Sequence, residues 1–525
     1  PGDVSHFQAL SSALSATVGL GNIAGVAIAV SVGGPGAVFW MMVVALFGMS
    51  SKFAEATLGQ MYREVDTVGD MRGGPMVYLK EGLANYGKTG EVLGWVLSLL
   101  FAVLCIGTSI GAGNMFQANQ SFSALSEQVP WLAGGRATGS VRLKADEPRT
   151  VDKPDHMVEF VAPPRALDDS AASLSYRPAD DRLKLSRDDW KQTDDGYRTT
   201  VPVESVQPGV QYNIRAGTVT SMKFAQLGEH GRSIDGWSTV RAVSVSNPDS
   251  IRGGTPPKGW IFGLILAFLV GMVIIGGIES IAKVAEKIVP FMCAFYILGG
   301  LAVIAMNVDK LGWAVGVIVS EAFNPKSAAV GSFMVVFVNG VKRAAFSSEA
   351  GIGSAPIAHS AAKTDEPVRE GFVAMLGPFI DTIVVCFITG MVIVISGVWS
   401  NPETAGLAGV TLTSAAFGTE LAWFPWVLTI AVVLFAFSTM ISWSYYGERC
   451  WTYLFGDEQA MAFRFIFVFF VLVGSVSSLD NVLGFGDYFL LAMSFPNIVG
   501  VVLLSNEIDA ELRDYWERYK AGEFD

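Results

Sequence analysis

The chain has 525 residues, of which 51% are hydrophobic and 16% charged, with a mean hydropathy of +0.43. Soluble domains carry about 25% charged residues, so this composition predicts a polytopic membrane protein. The formal net charge of −12 argues against a nucleic-acid partner. The cysteines lie in or beside apolar segments and are expected to be buried hydrophobes rather than a disulfide or zinc framework: Cys105, Cys293, Cys386 and Cys450.

Ten apolar segments are long enough to cross a membrane as helices, which takes about 20 mostly apolar residues. An even number predicts both termini on one side. Lys and Arg concentrate in alternate loops and in the C-terminal tail, so the positive-inside rule predicts cytoplasmic termini in the inner or plasma membrane of the cell. The predicted spans are residues 8–32, 36–60, 92–127, 259–280, 284–306, 331–356, 369–397, 425–447, 461–479 and 484–505.

Residues 133–256 interrupt this pattern with a polar stretch rich in Asp, Arg, Ser and Pro. The runs "TTVPVESV", "VQYNIRAG" and "WSTVRAVSVS" alternate with period 2 and are bounded by Pro-Gly and Asn-Pro turns, which predicts strands. "VQPGVQYNIRA…GWSTVRA" resembles a fibronectin type III domain. We expect an extracytoplasmic β-sandwich, acting as a spacer or contact module, between a core of 1–132 and 257–506; residues 507–525 form a cytoplasmic tail.

Two of the predicted spans are broken by glycine, which costs about 1 kcal/mol in a helix interior. "TVGLGNIAGVA", Thr17–Ala27, lies in the first span, and "AAFSSEAGIGSAP", Ala344–Pro356, lies in the sixth. Five spans separate the two breaks, which predicts a five-plus-five inverted repeat with a site near the midplane. Freed N–H groups and helix N-termini can hold a carboxylate, and freed carbonyls can hold a cation or an ammonium. The breaks therefore favour a zwitterionic amino acid beside a metal cation.

Seven segments, taken in order, resemble the alanine or glycine:cation symporter family of the amino acid–polyamine–organocation superfamily. They are "SALSATVGLGNIAGVA", "GGPGAVFW", "GNMFQAN", "AKVAEKIVPFM", "FSSEAGIGSAPIAH", "GPFIDTI" and "FAFSTMISWSYYGERC". The resemblance runs from the start of the chain to about residue 506, outside the insert. It implies the all-α leucine-transporter-like fold and sodium-coupled import of alanine or glycine, with no enzymatic activity and no cofactor besides co-transported sodium. Family members usually carry a further N-terminal helix, and a short loop in place of the insert.

The same resemblance assigns the substrate's charged groups to the two breaks. It implies that the amides of Leu20 and Gly21 bind the carboxylate. The carbonyl of Thr17 and the sixth span near Phe346 and Ser347 would receive the ammonium.

Four further residues complete the implied pocket. Asn22 is similar to an amide that contacts both cation and substrate, although a helix-to-helix hydrogen bond is the alternative. Gln117 in "GNMFQAN" matches a substrate-site position. Thr439 and Trp443 are one helical turn apart and share a face. Trp443 and Phe346 would wall the pocket and leave room for a small side chain, unless they are only core packing.

The adjacent hydroxyls in "FAFSTMISW" are similar to sodium ligands of the eighth helix in this fold. The resemblance implies that Ser438 and Thr439 bind sodium together with the carbonyls of Ser15, Val18 and Phe435. Sodium prefers oxygen ligands. The alternative is that the hydroxyls bond back to a carbonyl one turn earlier.

Charged residues inside the spans are functional candidates by default. Asp381 could support the cation site, bind a coupled proton, or pair with Lys342 or Arg343. Arg343 and Asp487 are predicted to close an external gate as an ion pair.

Three more charged residues lie in the second and sixth spans. Lys52 and Glu55 are one turn apart and are predicted to form a local ion pair. Glu349, inside the second break, could be a gate, a cation neighbour or a cap.

Other functions find less support in the sequence. "GLGNIAG" has the wrong spacing for a dinucleotide-binding loop, no G-x-x-x-x-G-K-[ST] motif supports ATP-driven pumping, and the four isolated histidines form no metal motif. A proton-coupled transporter working through Asp381, and an amino-acid sensor built on the same core, remain alternatives to sodium symport.

Overall fold

The computed structural model divides the chain into two compact units. The first comprises Pro1–Gln128, Trp260–Trp399 and Leu407–Asp525, and the second comprises Val129–Gly259 and Ser400–Gly406. The structure describes residues 2–67, 69, 71–134, 138–145, 151–154, 158–162, 174–179, 182–185, 187–189, 191–193, 196–205, 221–227, 233–239, 243–246, 257–323, 333–401, 404 and 407–524.

The first unit is built from helices. Three short π-helical segments, Gly21–Gly25, Gly111–Met115 and Phe379–Cys386, adjoin or join helices within spans. The α-helices in chain order are α1 His6–Thr17, α2 Val26–Gly33, α3 Gly36–Met61, α4 Pro75–Ala84, α5 Gly87–Ile110, α6 Phe116–Gln128, α7 Pro130–Ala133, α8 Gly259–Ile274, α9 Gly277–Met306, α10 Leu311–Phe323, α11 Phe333–Ser348, α12 Ala355–His359, α13 Pro367–Pro378, α14 Phe387–Ser396, α15 Val410–Glu420, α16 Phe424–Phe455, α17 Ala460–Val476, α18 Leu479–Leu503 and α19 Ser505–Lys520.

Within the described residues, seven helical segments are long and apolar enough to cross a membrane, and the bent pair α1 and α2 makes an eighth. These eight correspond to every predicted span except the fourth and the sixth, which fall on the 16-residue helices α8 and α11. The predicted boundary between 259–280 and 284–306 is wrong. The chain turns at Gly276 and Gly277 instead, because Gly277 adopts φ +64, a left-handed conformation that favours glycine.

Both predicted breaks are present. Helix α1 ends at Thr17, where Val18 leaves the helical region with ψ 86, and the chain resumes at a 45° bend. Helix α11 ends at Ser348, and the following residues include the left-handed Gly351 and Gly353 at φ +82 and +88. The glycines thus make both interruptions conformationally accessible.

Small residues let these helices approach closely. A Cβ on Gly340 of α11 would lie 2.8 Å from the Ala37 carbonyl oxygen of α3, and one on Gly474 of α17 would lie 2.5 Å from Met115 Cα. Glycine at such points sets the spacing of the helices around the site.

The second unit contains antiparallel β-structure. Eight strands form one sheet in the order β11-β10-β5-β6-β9-β3-β12 with β8 paired to β9, and β4 pairs with β7. Buried side chains alternate along β3 and β9, as period 2 predicts: Val141, Leu143, Val201 and Val203.

The strand bounds can be compared with the predicted runs. "TTVPVESV" falls largely on β9 and "WSTVRAVSVS" on β11 and β12, while "VQYNIRAG" lies outside the described residues. A separate hairpin, β1 with β2, belongs to the first unit. The strands are β1 Glu64–Val65, β2 Met71–Arg72, β3 Thr138–Ala145, β4 Val151–Pro154, β5 Val158–Ala162, β6 Leu174–Pro178, β7 Arg182–Leu185, β8 Lys191–Thr193, β9 Gly196–Ser205, β10 Ser221–Leu227, β11 Ser233–Thr239 and β12 Val243–Ser246.

Candidate functional site: a cavity between the two broken helices

A small cavity lies where the two breaks meet α6, α16 and α18. The space open to the centre of a water molecule is about 10 Å³, near the minimum that holds one water. Five of the predicted substrate residues line it. The lining residues are Ala16, Thr17, Gly19, Gly21, Ala112, Gln117, Phe346, Glu349, Trp443 and Leu490.

The first break is pressed against its neighbours at two glycines. A Cβ on Gly19 would overlap the Thr439 hydroxyl of α16. A Cβ on Gly21 would lie 3.3 Å from both the Phe346 ring and Ser347 Cα. The bare backbone of the break therefore faces the cavity and both partner helices.

Asn22 closes the first break. Its side-chain oxygen accepts a hydrogen bond from the Gly19 N–H at 2.8 Å. The N–H groups of Leu20 and Gly21 come at the point where helical structure resumes, and the first amides of a helix lack partners within the helix. Amides in this position are suited to an anionic group.

Two aromatic walls flank the cavity. The Trp443 indole N–H donates to Glu349 Oε1 at 2.9 Å, and Gly113 leaves no room beside the indole for a Cβ. Phe346 packs edge-on against Phe116 with ring centroids 5.1 Å apart. Because the Trp443 ring is held by a hydrogen bond to a charged group, it is positioned by more than core packing.

Gln117 presents an unused acceptor. Its Nε2 donates to the Ala112 carbonyl at 3.0 Å, while its buried Oε1 has no hydrogen-bond partner among the described residues. A buried acceptor without a partner costs about 1–3 kcal/mol, which favours a donor ligand there.

The predicted sodium residues come together between α1 and α16. The Ser15 hydroxyl donates to the Ser438 carbonyl at 2.7 Å, and the Thr439 hydroxyl donates to the Ser15 carbonyl at 3.1 Å. The Ser438 hydroxyl donates to the Phe435 carbonyl at 2.9 Å. Val18 is fully buried beside Gly19, so its peptide lies next to the same hydroxyls. The set offers carbonyl and hydroxyl oxygens, the ligand type that a hard cation prefers.

Asp381 is buried in a cluster of donors. Asn22 Nδ2 donates to its carboxylate and, at 2.9 Å, to its carbonyl. The hydroxyls of Ser347 and Thr382 donate to Asp381 Oδ2 at 2.7 and 2.6 Å. The cluster connects the first break, α11 and the π-helical segment of the seventh span.

The possible pairing of Asp381 with Lys342 or Arg343 is wrong. Arg343 forms an ion pair with Asp487, as predicted, and Lys342 lies 3.4 Å from the same carboxylate. Arg343 also covers the Phe346 ring, with its guanidinium carbon 5.1 Å from the centroid. This pair therefore closes over the aromatic wall of the cavity.

The chain resembles known proteins in both sequence and fold. The family described as the sodium:alanine symporter family matches residues 1–141 and 206–525. The chain belongs to the sodium:alanine symporter family. It is therefore a multi-pass membrane protein of a transporter family, as the sequence resemblance indicates.

Relatives of this symporter family cover nearly the whole chain. The sodium/alanine symporter AgcS of Methanococcus maripaludis is 36% identical over 98% of this chain and 85% of its own. The probable sodium/glutamine symporter GlnT of Bacillus subtilis is 28% identical over 99% of this chain and 80% of its own. The crystal structure of MhsT in complex with L-phenylalanine has a TM-score of 0.51 at 12% identity, covering 96% of this chain and 98% of that chain. This likeness shows that the chain shares the leucine-transporter-like fold.

Sequence reasoning missed a polar cluster around the buried Glu370 in this family member. His359 Nδ1 lies 2.6 Å from Glu370 Oε1, and His6 contacts the other oxygen of Glu370. His6 and Glu370 are 364 positions apart, so no local pattern brings them together.

The predicted local pair of Lys52 and Glu55 forms no ion pair within 4 Å, although the two side chains interact electrostatically. Glu55 Oε1 instead accepts hydrogen bonds from Asn497 at 2.8 Å and from Ser51 at 3.1 Å. Glu349, which the sequence left without a definite role, lines the cavity. The sequence signal for Glu349 was its position, as an ionisable residue next to a glycine-rich break.

Proposed function

We propose that this protein is a sodium-coupled symporter that imports small neutral amino acids, alanine or glycine, by alternating access. One observation carries the proposal: the backbone of the first break approaches the second break at Gly21 and the Thr439 hydroxyl of α16 at Gly19. A ligand bound on the Gly19 side or on the Gly21 side of the first break would therefore contact the same short backbone segment.

The substrate position follows from the groups that line the cavity. The amides of Leu20 and Gly21 suit the carboxylate, since N–H groups at a helix start favour negative charge. The Thr17 carbonyl and Gln117 Oε1 accept from the ammonium. The cavity holds about one water and must widen to admit any amino acid. Alanine and glycine require the least widening, because their side chains add little volume.

The cation position is the oxygen set between α1 and α16. Sodium would be held by the carbonyls of Ser15, Val18 and Phe435 and by the hydroxyls of Ser438 and Thr439. Sodium there orders the first break, whose amides bind the substrate. Each ligand then raises the affinity of the other, with a reciprocal coupling of about 1–3 kcal/mol.

Alternating access follows from two related halves of five spans each, arranged as an inverted repeat about this site. The bundle of first, second, sixth and seventh spans rocks against the rest, and the Arg343–Asp487 pair closes the outer side. Both termini and the tail 507–525 lie in the cytoplasm. Residues 133–256 form an extracytoplasmic fibronectin type III-like spacer or contact module.

Uptake of labelled alanine into proteoliposomes tests the proposal. With an inward sodium gradient, alanine should accumulate above its equilibrium level, and with a matched potassium gradient it should not. Unlabelled glycine should compete for the same uptake. Binding of alanine without any uptake would contradict the proposal and favour a sensor that uses the same core.

Proton coupling through Asp381 is a second candidate function. Its support is a fully buried carboxylate that makes no described ion pair within 4 Å and lies directly against the first break. Accumulation of alanine driven by a pH gradient alone, without sodium, would replace the sodium proposal with this one.

A further inference from the structure

Behind the second break lies a buried charged cluster that the sodium and substrate positions do not use. Lys52, Glu55 and Glu349 are each at most 2% exposed, and they come from α3 and the second break. Helix α3 packs directly on that break: a Cβ on Gly48, one turn before Lys52, would lie 2.8 Å from Ala350 Cβ. The cluster is thus a fixed part of the fold.

Glu349 is held at the boundary between this cluster and the cavity. Its Oε1 accepts from the Trp443 indole at 2.9 Å, and its Oε2 accepts from the Ser354 hydroxyl at 2.5 Å. It is the one non-glycine residue of the described chain with positive φ, at 53°. Such a conformation is strained for a residue with a side chain and persists only where the surroundings hold it, so the position of the carboxylate is determined by its contacts.

Asn497 ties the other end of the cluster to the same break. Its side-chain amide donates to Glu55 Oε1 at 2.8 Å and to the Gly351 carbonyl at 2.9 Å, and Tyr78 bonds to its oxygen. Glu55 Oε2 has no hydrogen-bond partner among the described residues. One carboxylate oxygen is therefore left open to a mobile donor.

The Lys52 ammonium can act as the donor to this free oxygen of Glu55. This ammonium lies close enough to Glu349, Glu55 and Asp381 to interact electrostatically with each. Within the described part of the chain, it nevertheless forms no hydrogen bond and no ion pair within 4 Å. An ammonium on a flexible four-carbon stem can move between neighbouring carboxylates.

The cluster holds one basic side chain, Lys52, which interacts electrostatically with three buried carboxyl groups, those of Glu349, Glu55 and Asp381. A buried carboxylate that carries its charge without a compensating cation is costly. Glu349 meets the cavity, where a bound amino acid brings its own ammonium. When the cavity is empty, Lys52 is the basic side chain of the described residues that interacts electrostatically with Glu349.

We propose that the Lys52 ammonium is the internal counter-ion of Glu349 in the empty carrier, and that the ammonium of a bound amino acid displaces it towards Glu55. The inference rests on the proposed function, because it assigns a partner to the substrate's ammonium at the same site. It follows that Lys52 serves the return of the empty carrier more than the movement of the loaded one.

Two transport assays on the full chain in proteoliposomes separate these steps. Net uptake of labelled alanine under a sodium gradient requires the carrier to return empty. Exchange of external labelled alanine for internal unlabelled alanine, with equal sodium on both sides, lets the carrier return loaded.

Lys52→Met should lower net uptake by about 10-fold or more, because Glu349 then crosses uncompensated, and should change exchange by less than about 2-fold. Combining it with Glu349→Gln, which removes the uncompensated charge, should raise net uptake at saturating alanine above that of Lys52→Met alone. Lys80→Met is the matched control, since Lys80 is half-exposed and pairs with its neighbour Glu81; both assays should keep wild-type rates.

The Glu55→Gln variant tests the inference from the other carboxylate. This test does not require the Lys52→Met protein to fold. Without its second partner, Lys52 stays at Glu349 and competes with the substrate. The KM for alanine should therefore rise by about 5-fold or more in both assays, with the maximal net rate retained.

Equal losses of exchange and net uptake in folded Lys52→Met would indicate a structural role and overturn the inference. Unchanged net uptake in Lys52→Met, or an unchanged KM in Glu55→Gln, would overturn it as well. A wild-type protein that shows neither net uptake nor exchange would instead overturn the proposed function, and the inference with it.

Discussion

The two broken helices differ in how they present polar groups to the cavity. The first break carries no charged residue and is closed by its own Asn22 side chain on the Gly19 N–H. The second break carries Glu349 in a left-handed conformation, anchored by Trp443 and Ser354. The same interruption of a helix thus presents backbone dipoles in one case and an ionisable carboxyl group in the other.

This difference assigns the two breaks different tasks. The first break depends on shape, since a side chain on Gly19 would reach into the α16 hydroxyls. The second break depends on charge, and its partners lie on α3 and α16. Substitutions that add volume should therefore damage the first break most, and substitutions that remove charge should damage the second.

Gly19→Ala should have the largest effect, because its Cβ would overlap the Thr439 hydroxyl. Overpacking costs about 1–3 kcal/mol or more, so sodium-dependent alanine uptake should fall by about 100-fold. Gly377→Ala is the matched control, since nothing lies within 4 Å of its Cβ position. Wild-type uptake by Gly19→Ala would show that close approach is not required.

Asp381→Asn should be the next most damaging change, because it removes the charge that Asn22, Ser347 and Thr382 surround. Hydrogen bonds to a charged group contribute about 1.5–3 kcal/mol, which predicts a 10- to 100-fold rise in the sodium concentration for half-maximal uptake. The exposed Asp309→Asn serves as control. An unchanged sodium requirement would separate Asp381 from cation binding.

Removing both hydroxyls with Ser438→Ala and Thr439→Ala should weaken sodium activation by about 3- to 10-fold for each hydroxyl lost. The measurement is the sodium dependence of alanine uptake. Ser444→Ala is a matched control on the same helix, because its buried hydroxyl also bonds back to a carbonyl, that of Ile441 at 2.6 Å. Equal effects of the double change and the control would rule out the proposed ligands.

The outer ion pair should give the smallest effect. Arg343→Ala should lower uptake by about 2- to 5-fold, because Lys342, 3.4 Å from the Asp487 carboxylate, can take the place of Arg343. Asp487→Ala should have the stronger effect, because it leaves both cations without this partner. Exchanging the two charges, Arg343→Asp with Asp487→Arg, should transport better than either single alanine change. A double variant no better than the singles would count against a gate.

The sequence was most informative where function depends on local patterns. Glycine inside an apolar span marked both breaks, whereas the adjacent Ser438 and Thr439 were identified through the resemblance of "FAFSTMISW" to the eighth helix of the fold. The family resemblance then brought Ser15 and Gln117 to the same region, where the structure also places them.

Contacts between distant segments were beyond the sequence pattern. The Lys52–Glu55 spacing favoured a local pair. In the folded chain, however, Glu55 accepts a hydrogen bond from Asn497, which lies 442 positions away. The turn at Gly277 was missed because glycines are frequent in membrane helices, so a glycine alone does not mark a helix end. Helices α10 and α15 lie outside the predicted spans because both are too short to cross a membrane.

The most direct test of the central claim is the equilibrium binding of alanine to the purified protein as a function of sodium concentration. If both ligands meet at the first break, sodium should lower the Kd for alanine, and alanine should lower the half-saturating sodium concentration by the same factor, about 5- to 150-fold. Lithium and potassium at matched ionic strength serve as controls. A Kd for alanine that does not change with sodium would contradict the account, because two ligands that share one break cannot bind independently.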